Sequence, residues 1–432
     1  MSHAAHDITE ALSEYRFSTS RDRLLKTIAS FETIESANQC LQRLTGVQDF
    51  FPDSDALKCF ERILATKGRG ADNHHPQGMG DFQTPSHLAL RVCRLLVDLG
   101  VAPRIILEPT FGLGNFIEAA LAHFPMADLI YGVEIQGKYE WHLKLALFAR
   151  ALESGRPRAR IVLMKDDIFT HRFPDEVLTS ENILIIGNPP WVTNAELGSI
   201  NGHNLPKKRN ADGLSGFDAL TGKSNFDIAE YILFRMLELF SGRPGTIALL
   251  CKNSVIRDVL RILPQRSFQV SEARQYQIDA KSDFGAAVDA SLLVADIGGS
   301  RRTFACQTFR LSEPKRPVGA FGWLGDKFVS SMSDYGEVRA FDGKSPLEWR
   351  QGVKHDCAPV MELERSQELL ENGYGERVDV EGEAVHALLK SSDLRAFEAR
   401  QPRRVVIVTQ HRIGEDTSVL RVITPKLWDY LN

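Results

Sequence analysis

Long apolar runs are missing from this chain. In 432 residues no stretch approaches the roughly 18 to 20 consecutive apolar positions of a membrane span. The opening segment, MSHAAHDITEALSEYRF, lacks a basic-then-apolar leader pattern, so the expected location is the cytoplasm, with no membrane partner. Cysteine is scarce. The six residues Cys40, Cys59, Cys93, Cys251, Cys306 and Cys357 are scattered, with no CxxC pair and no histidine at ligand spacing, so reduced thiols are expected rather than disulfides or zinc. The adjacent His74 and His75 sit in a turn-rich loop without a third ligand and read as solvated, so no metal is expected. An excess of positive charge is missing too: a net charge of −4 gives no global signature of nucleic-acid binding, although local basic patches fit inside a neutral total. The short N-terminal segment offers no clear D…ExK arrangement, so endonuclease activity is not expected here.

What is present reads as an ordinary globular protein. Apolar residues make up 43% and charged residues 25% of the chain, and the length suits two or three domains. Residues 1–80 read as helical, from the apolar spacing in RDRLLKTIASF and ALKCFERILATKG. From 81 to 300 strands alternate with helices, which is the signature of a parallel sheet with crossover helices. The candidate strands are RIILE (104–108), LIYGVE (129–134), ARIVLMK (159–165), NILIIG (182–187), GTIALLC (245–251), EARQYQI (272–278) and DASLLVADI (289–297). Seven such strands predict a doubly wound α/β sheet, which binds ligands at the carboxyl ends of its strands. Beyond 300 the alternation is lost. PKRPVGAFGWLGDKF reads as a linker and irregular turn, and residues 301–432 as a separate α+β domain with short strands in ERVDVEG and RRVVIVTQ. The final TPKLWDYLN begins a helix without a cap, so the natural chain is expected to continue past Asn432.

After the first strand, Glu108-Pro109-Thr110-Phe111-Gly112-Leu113-Gly114 leads straight into the helix GNFIEAALAHF. Gly112 and Gly114 let the backbone turn tightly and approach a ligand at the helix N-terminus. Three strand ends carry acids: Glu108, Glu134 and, after the third strand, Asp167. Carboxylates repel a pyrophosphate, and position 117 is Ile where G-x-G-x-x-G needs its last glycine. The set instead suits a nucleoside ligand bearing an ammonium group. Glu134 is placed to accept from both ribose hydroxyls and Asp167 from an adenine amine, so S-adenosylmethionine fits better than a nicotinamide dinucleotide.

The fourth strand ends on Asn188-Pro189-Pro190-Trp191. The exocyclic amine of a nucleobase is a poor nucleophile because its lone pair is delocalised into the ring. If the Asn188 side-chain oxygen and the Pro189 carbonyl each accept one of its N–H bonds, the amine moves toward tetrahedral geometry. Prolines hold that carbonyl in place before substrate arrives, and Trp191 offers a flat face for a base turned out of a duplex.

QTP (Gln83, Thr84, Pro85), EPTFGLG (108–114), Val133-Glu134, Asp167-Ile168, NPPW (188–191), KSNFD (223–227) and DFGAAVDASLLV (283–294) occur in the order seen in gamma-class amino-methyltransferases. The chain resembles an N6-adenine DNA methyltransferase of restriction–modification or phage-defence type, strongly over 81–300 and more loosely to 432. There WRQGVKHD, LLKSSDL and VVIVTQ are similar to target-recognition domains. The resemblance implies a Rossmann-like methyltransferase sheet, S-adenosylmethionine as cofactor and double-stranded DNA as partner. It implies that Gln83, Thr84, Glu108, Thr110, Gly112 and Gly114 surround the methionine end, with Thr84 on its carboxylate, and that Glu134 binds ribose. Asp167 and Ile168 would bracket adenine, and Asn188 would lie beside the cofactor. Phe284 matches the aromatic that sandwiches a flipped base with Trp191, while Lys223 and Asn225 match a polar pair ahead of the next helix.

The chain departs from that pattern in a long polar segment, Val192 to Gly222, which contains PKKR (206–209), and in a short recognition region. Motifs of the NPP(Y/W) kind also mark enzymes that methylate RNA adenines or protein glutamine amides, and a helical N-terminal region suits the glutamine enzymes. Trp in place of Tyr, the long loop and more than 120 residues beyond the sheet favour a large polymeric substrate. A modification subunit that depends on a nuclease or specificity partner is the remaining alternative.

Overall fold

A computed structural model of the chain describes residues 3–14, 20–28, 31–65, 83–192, 227–284, 289–348, 352, 357–366, 369–390, 403–410, 412 and 414–432. His74, His75, the PKKR segment, Lys223 and Asn225 lie outside the described residues. The chain forms two compact units, Met1–Asp342 and Gly343–Asn432.

The first unit opens with helices α1 (His3–Glu14), α2 (Ser20–Ile28), α3 (Ile34–Thr45) and α4 (Ser54–Ala65). α3 begins where Thr33 accepts from the Ser36 N–H and Ser36 answers to the Thr33 N–H, a reciprocal cap that satisfies two otherwise orphaned donors. These helices do not stand apart. Their apolar faces bury Leu41, Phe51 and Phe60 in the same core as one side of the sheet. Trp141 packs 5.8 Å from Phe51 and 5.5 Å from Phe60. Beyond α3, the Gln48 N–H donates to the Ile161 carbonyl at 2.8 Å and the Ile161 N–H to Gly46 at 2.8 Å, so this region also covers one edge of the sheet. A buried cation fixes the junction. Lys144 reaches Glu140 at 2.6 Å and the Phe50 carbonyl at 2.7 Å, over the Trp141 ring; a buried ammonium is tolerable only with partners of this kind.

After α5 (Ser86–Asp98) come β1 (Ile105–Glu108), α6 (Asn115–His123), β2 (Leu129–Glu134), α7 (Gly137–Ser154), β3 (Arg160–Lys165), α8 (Asp175–Leu178) and β4 (Ile183–Gly187). Then follow α9 (Ile228–Phe240), β5 (Gly245–Lys252), α10 (Asn253–Ile262), β6 (Val270–Gln277), α11 (Ala280–Phe284) and β7 (Ala290–Ile297). The seven expected strands all form, within a residue or two of their expected ends. They stand in the order β6-β7-β5-β4-β1-β2-β3, with β7 antiparallel to both neighbours. β1 to β5 are parallel, which requires the crossover helices. Every residue of β4 is buried, because helices cover both faces: Leu184 and Ile186 point into one apolar layer and Ile183 and Ile185 into the other. Each such side chain contributes roughly 1.5 to 3 kcal/mol of burial.

The sheet does not stop at residue 300. β8 (Ala305–Arg310) pairs with β6, and β9 (Glu313–Leu324) and β10 (Lys327–Val329) continue outward, giving ten strands. The segment expected as linker is thus mostly β9 and β10, and the boundary expected at 300 falls at 342. Its prolines disguise it as a loop: Pro314 and Pro317 lack the N–H of a central strand but are tolerated at an edge and at a bulge. α12 (Met332–Val338) closes this unit.

The second unit is α+β, as expected. It comprises α13 (Ala358–Met361), β11 (Glu362–Ser366), β12 (Leu369–Glu371), β13 (Arg377–Val378), β14 (Val385–Leu388), β15 (Arg404–Ile407), α14 (Leu420–Ile423) and α15 (Pro425–Leu431). Its antiparallel sheet has the order β13-β12-β11-β15-β14, around a small core of Leu363, Val378, Val405, Ile407 and Leu427.

Candidate active site

The chain leaves β1 toward β2 and β3, then returns to place β4 on the other side of β1. A reversal of this kind opens a crevice at the strands' carboxyl ends. Both sequence motifs fall there. Leu107 pairs with Ile185, so the glycine turn after β1 and Asn188 after β4 leave the sheet side by side. A side chain at Gly187 would sit 3.4 Å from Glu108 Cγ and 3.6 Å from Pro109 Cδ.

The glycine turn is tightly tied. Gly112 and Gly114 have φ of +49° and +81°, in the left-handed region where a Cβ costs about 1 to 2 kcal/mol. The Gly112 N–H donates to Glu134 Oε2 at 2.9 Å, and the Leu113 N–H to Gln83 Oε1 at 2.9 Å. The Asn115 side-chain amide donates to the Thr84 carbonyl at 2.8 Å, and the Ser86 hydroxyl donates to Asn115 Oδ1 at 3.0 Å. Gln83 and the buried Thr84 therefore belong to the turn's frame. Ser86 and Asn115 do as well, although sequence reasoning singled out neither. Ser86 gave no signal, and Asn115 read only as part of the helix GNFIEAALAHF.

The acids divide by environment. Glu134 accepts from the backbone N–H groups of Gly112 and Gln136, each at 2.9 Å. Glu108 is 2% exposed, and its Oε2 is buried with no hydrogen-bond partner among the described residues. Burial, and after it the charge of Glu134, hold its carboxyl well above the usual carboxylate range. The same is true of the neighbouring Cys93 thiol, raised by burial and then by Glu108. Thr110 Oγ1 is likewise buried and unpartnered among the described residues. A buried acid with an open oxygen, two left-handed glycines and a second carboxylate fit a cationic nucleoside cofactor, since that ligand supplies the missing donors.

Asp167 is half-buried and Ile168 buried, in the turn after β3. The Phe169 N–H donates to Asp167 Oδ1 at 2.9 Å. The turn is anchored by a group absent from the sequence reading: His171 Nδ1 lies 2.7 Å from Asp166, and His171 Nε2 2.9 Å from the Tyr131 hydroxyl. Burial, then the charges of Asp166 and Glu176, push the Tyr131 phenol up to about 12. Such contacts span β2 and β3, and no local spacing announces them.

After β4, Pro189 is buried while Asn188 and Pro190 are half-buried. Trp191 is 5% exposed and donates from Nε1 to the Leu250 carbonyl at 3.2 Å. Phe284, at the end of α11, meets it edge to face, with centroids 5.1 Å apart and planes at 65°. The structure therefore brings the two aromatics together, in mutual contact. Beside them Lys252, at the end of β5, reaches Asp227 at 2.8 Å, and Asp227 caps α9 through the Ala229 N–H.

A doubly wound sheet with an antiparallel seventh strand and a glycine turn facing an acid on β2 defines the S-adenosylmethionine-dependent methyltransferase class. Comparison with known proteins narrows the class. The chain is 37% identical over 362 residues to the Type II methyltransferase M.NspV of Nostoc sp., covering 82% of this chain and 72% of that protein. It belongs to that family of restriction–modification methyltransferases. No family model matches it. Among solved structures, it is similar to a Listeria monocytogenes protein assigned to the class I S-adenosylmethionine-dependent methyltransferases, at TM-score 0.38 and 10% identity over 73% of this chain and 95% of that one. It is also similar to the type I restriction-modification methyltransferase subunit of Streptococcus thermophilus, at TM-score 0.38 and 12% identity over 76% and 74%.

Proposed function

We propose that this methyltransferase acts on DNA, transferring a methyl group to the N6 amine of an adenine turned out of the duplex, as a gamma-class enzyme of a restriction–modification system. The observation that carries the reading is the placement of Asn188-Pro189-Pro190-Trp191 at the end of β4, alongside the glycine turn that ends β1. When bound, S-adenosylmethionine supplies an electrophilic methyl group. Glu108 faces its ammonium, Glu134 its ribose, and Asp167 with Ile168 its adenine; Gln83, Thr84, Thr110, Gly112 and Gly114 frame the methionine end. The Asn188 side-chain oxygen and the Pro189 carbonyl accept from the target amine, and Pro190 stiffens that turn.

Trp191 and Phe284 hold the base between them once it enters, so their edge contact must open. That contact is worth about 0.5 to 1.5 kcal/mol. Stacking a base on an aromatic ring is worth about 1 to 3 kcal/mol, so the exchange favours the bound base. The second unit reads the flanking sequence, and a separate nuclease or specificity subunit is the expected protein partner.

The test is incubation with methyl-labelled cofactor and, separately, unmethylated genomic DNA, RNA and total protein, with the labelled DNA sequenced for N6-methyladenine. Asn188→Ala should abolish transfer to DNA and leave cofactor affinity within about twofold. Label in RNA or protein alone, or a fully active Asn188→Ala enzyme, would reject the reading.

A further inference from the structure

The three strands beyond β6 form a feature that the methyl-transfer site does not use. β6 is antiparallel to β7, which is antiparallel to β5, and β8 is parallel to β6. β8 therefore points the same way as β4, and the turn joining β8 to β9 emerges on the sheet edge that carries Asn188. In sheet order β8 lies four strands from β4 and β9 one further. At about 4.8 Å per strand the hairpin tip stands roughly 19 to 24 Å along that edge. This is close to the span of six or seven nucleotides of one DNA strand, at about 3.4 Å per phosphate.

The tip is basic, open and firmly seated. Arg310, Lys315 and Arg316 are exposed, and none forms an ion pair among the described residues. Glu313 is the one carboxylate between positions 305 and 316. The ladder breaks here: Phe309 pairs with Pro317, but Arg310 pairs with Glu313, so Pro314, Lys315 and Arg316 arch out as a bulge. Bulges commonly re-aim side chains beside active sites. Below the arch, Phe309 stacks on Tyr276 at 5.1 Å, and the Leu311 N–H donates to the Gln277 carbonyl at 3.0 Å. Gln277 leads directly into the segment bearing Phe284. A partner strand is poorly matched to β9's outer edge, because two prolines remove donors and two adjacent cations oppose pairing. A polyanion suits it.

We propose that this hairpin tip is a rail for the DNA backbone, on which Arg310, Lys315 and Arg316 contact phosphates flanking the target adenine. The inference rests on the reading of DNA as substrate. Phosphate contacts carry no sequence information, so a random 30-base-pair duplex probes the rail without knowledge of the recognition site. Fluorescence anisotropy of that duplex across a salt series should give a steep dependence for the wild-type chain. In Arg310→Gln/Lys315→Gln/Arg316→Gln the log–log slope should fall by about 2 to 3 and affinity at low salt by roughly tenfold or more, with cofactor affinity and melting temperature unchanged. Arg310→Lys/Arg316→Lys, which keeps the charge, should retain the wild-type slope. An unchanged slope in the triple variant overturns the rail while leaving the DNA reading intact. A wild-type chain that binds no duplex, and methylates RNA or protein instead, rejects the DNA reading itself and the rail with it.

Discussion

Glu108, which we propose faces the cofactor's ammonium, also bears on stability. Its carboxyl is raised by burial and by Glu134, so the folded chain keeps a proton that the unfolded chain releases near the ordinary value of about 4.3. Between those two values the folded state binds more protons, and stability falls as pH rises, by about 1.4 kcal/mol per unit for one proton. Glu108→Gln removes that dependence. Urea unfolding at pH 5, 6.5 and 8 should show the variant gaining on the wild type as pH rises, and a constant difference would place an ionised Glu108 in the apo protein. The ammonium of S-adenosylmethionine favours the ionised form, so binding should release a proton, seen in calorimetry as an enthalpy that depends on the buffer. Glu108→Gln should abolish that dependence and weaken binding at least tenfold. The acids were legible in the sequence because Glu108 and Glu134 each close a strand and Asp167 follows one. His171 and Lys252 were not, since their partners Tyr131 and Asp227 come from distant positions that only the folded sheet brings near.

At the scale of the element, the two glycines of one turn answer to different neighbours. A Cβ on Gly112 would meet Gln83 Oε1 at 2.5 Å, the far end of a flexible side chain, whereas on Gly114 it would meet Leu143 Cδ1 at 2.4 Å, and Leu143 is fully buried. Gly114→Ala should therefore lose about 2 to 4 kcal/mol, from left-handed strain plus overpacking, and should lower the melting temperature markedly. Gly112→Ala should lose closer to 1 to 2 kcal/mol, yet displace Gln83 from the Leu113 N–H and weaken cofactor binding. Thermal melts and calorimetry on the pair separate the two effects; equal melting temperatures would contradict this division. The elements themselves were largely legible from period and punctuation. β4 announced itself as a continuous apolar run and α6 as the helix that follows the glycine turn directly. β9 stayed hidden because its ladder is made with one partner along most of its length, which relaxes the demand for alternating apolar residues and admits Pro314 and Pro317.

For the whole molecule, the consequence of the fold is that its cores close separately. The two apolar layers flanking the ten-stranded sheet draw on residues no later than Phe328, and the third core draws only on residues from Met361 onward. The N-terminal helices, by contrast, share the sheet's own core through Phe51, Phe60 and Trp141. A chain ended after Asp342 should therefore fold, melt cooperatively and bind S-adenosylmethionine with affinity within about threefold of the full chain, because each residue assigned to the cofactor lies inside the first unit. Removal of 1–65 should instead strip the cover from β3 and α7, leave Lys144 without the Phe50 carbonyl, and yield aggregated protein. If the second unit reads DNA sequence, the 1–342 chain should still bind duplex DNA through salt-sensitive contacts while losing methylation confined to one site. The check is sequencing of genomic DNA treated with each chain: a single methylated motif from the full chain, and scattered or no methylation from the shortened one. The same single motif from both would move sequence recognition into the first unit.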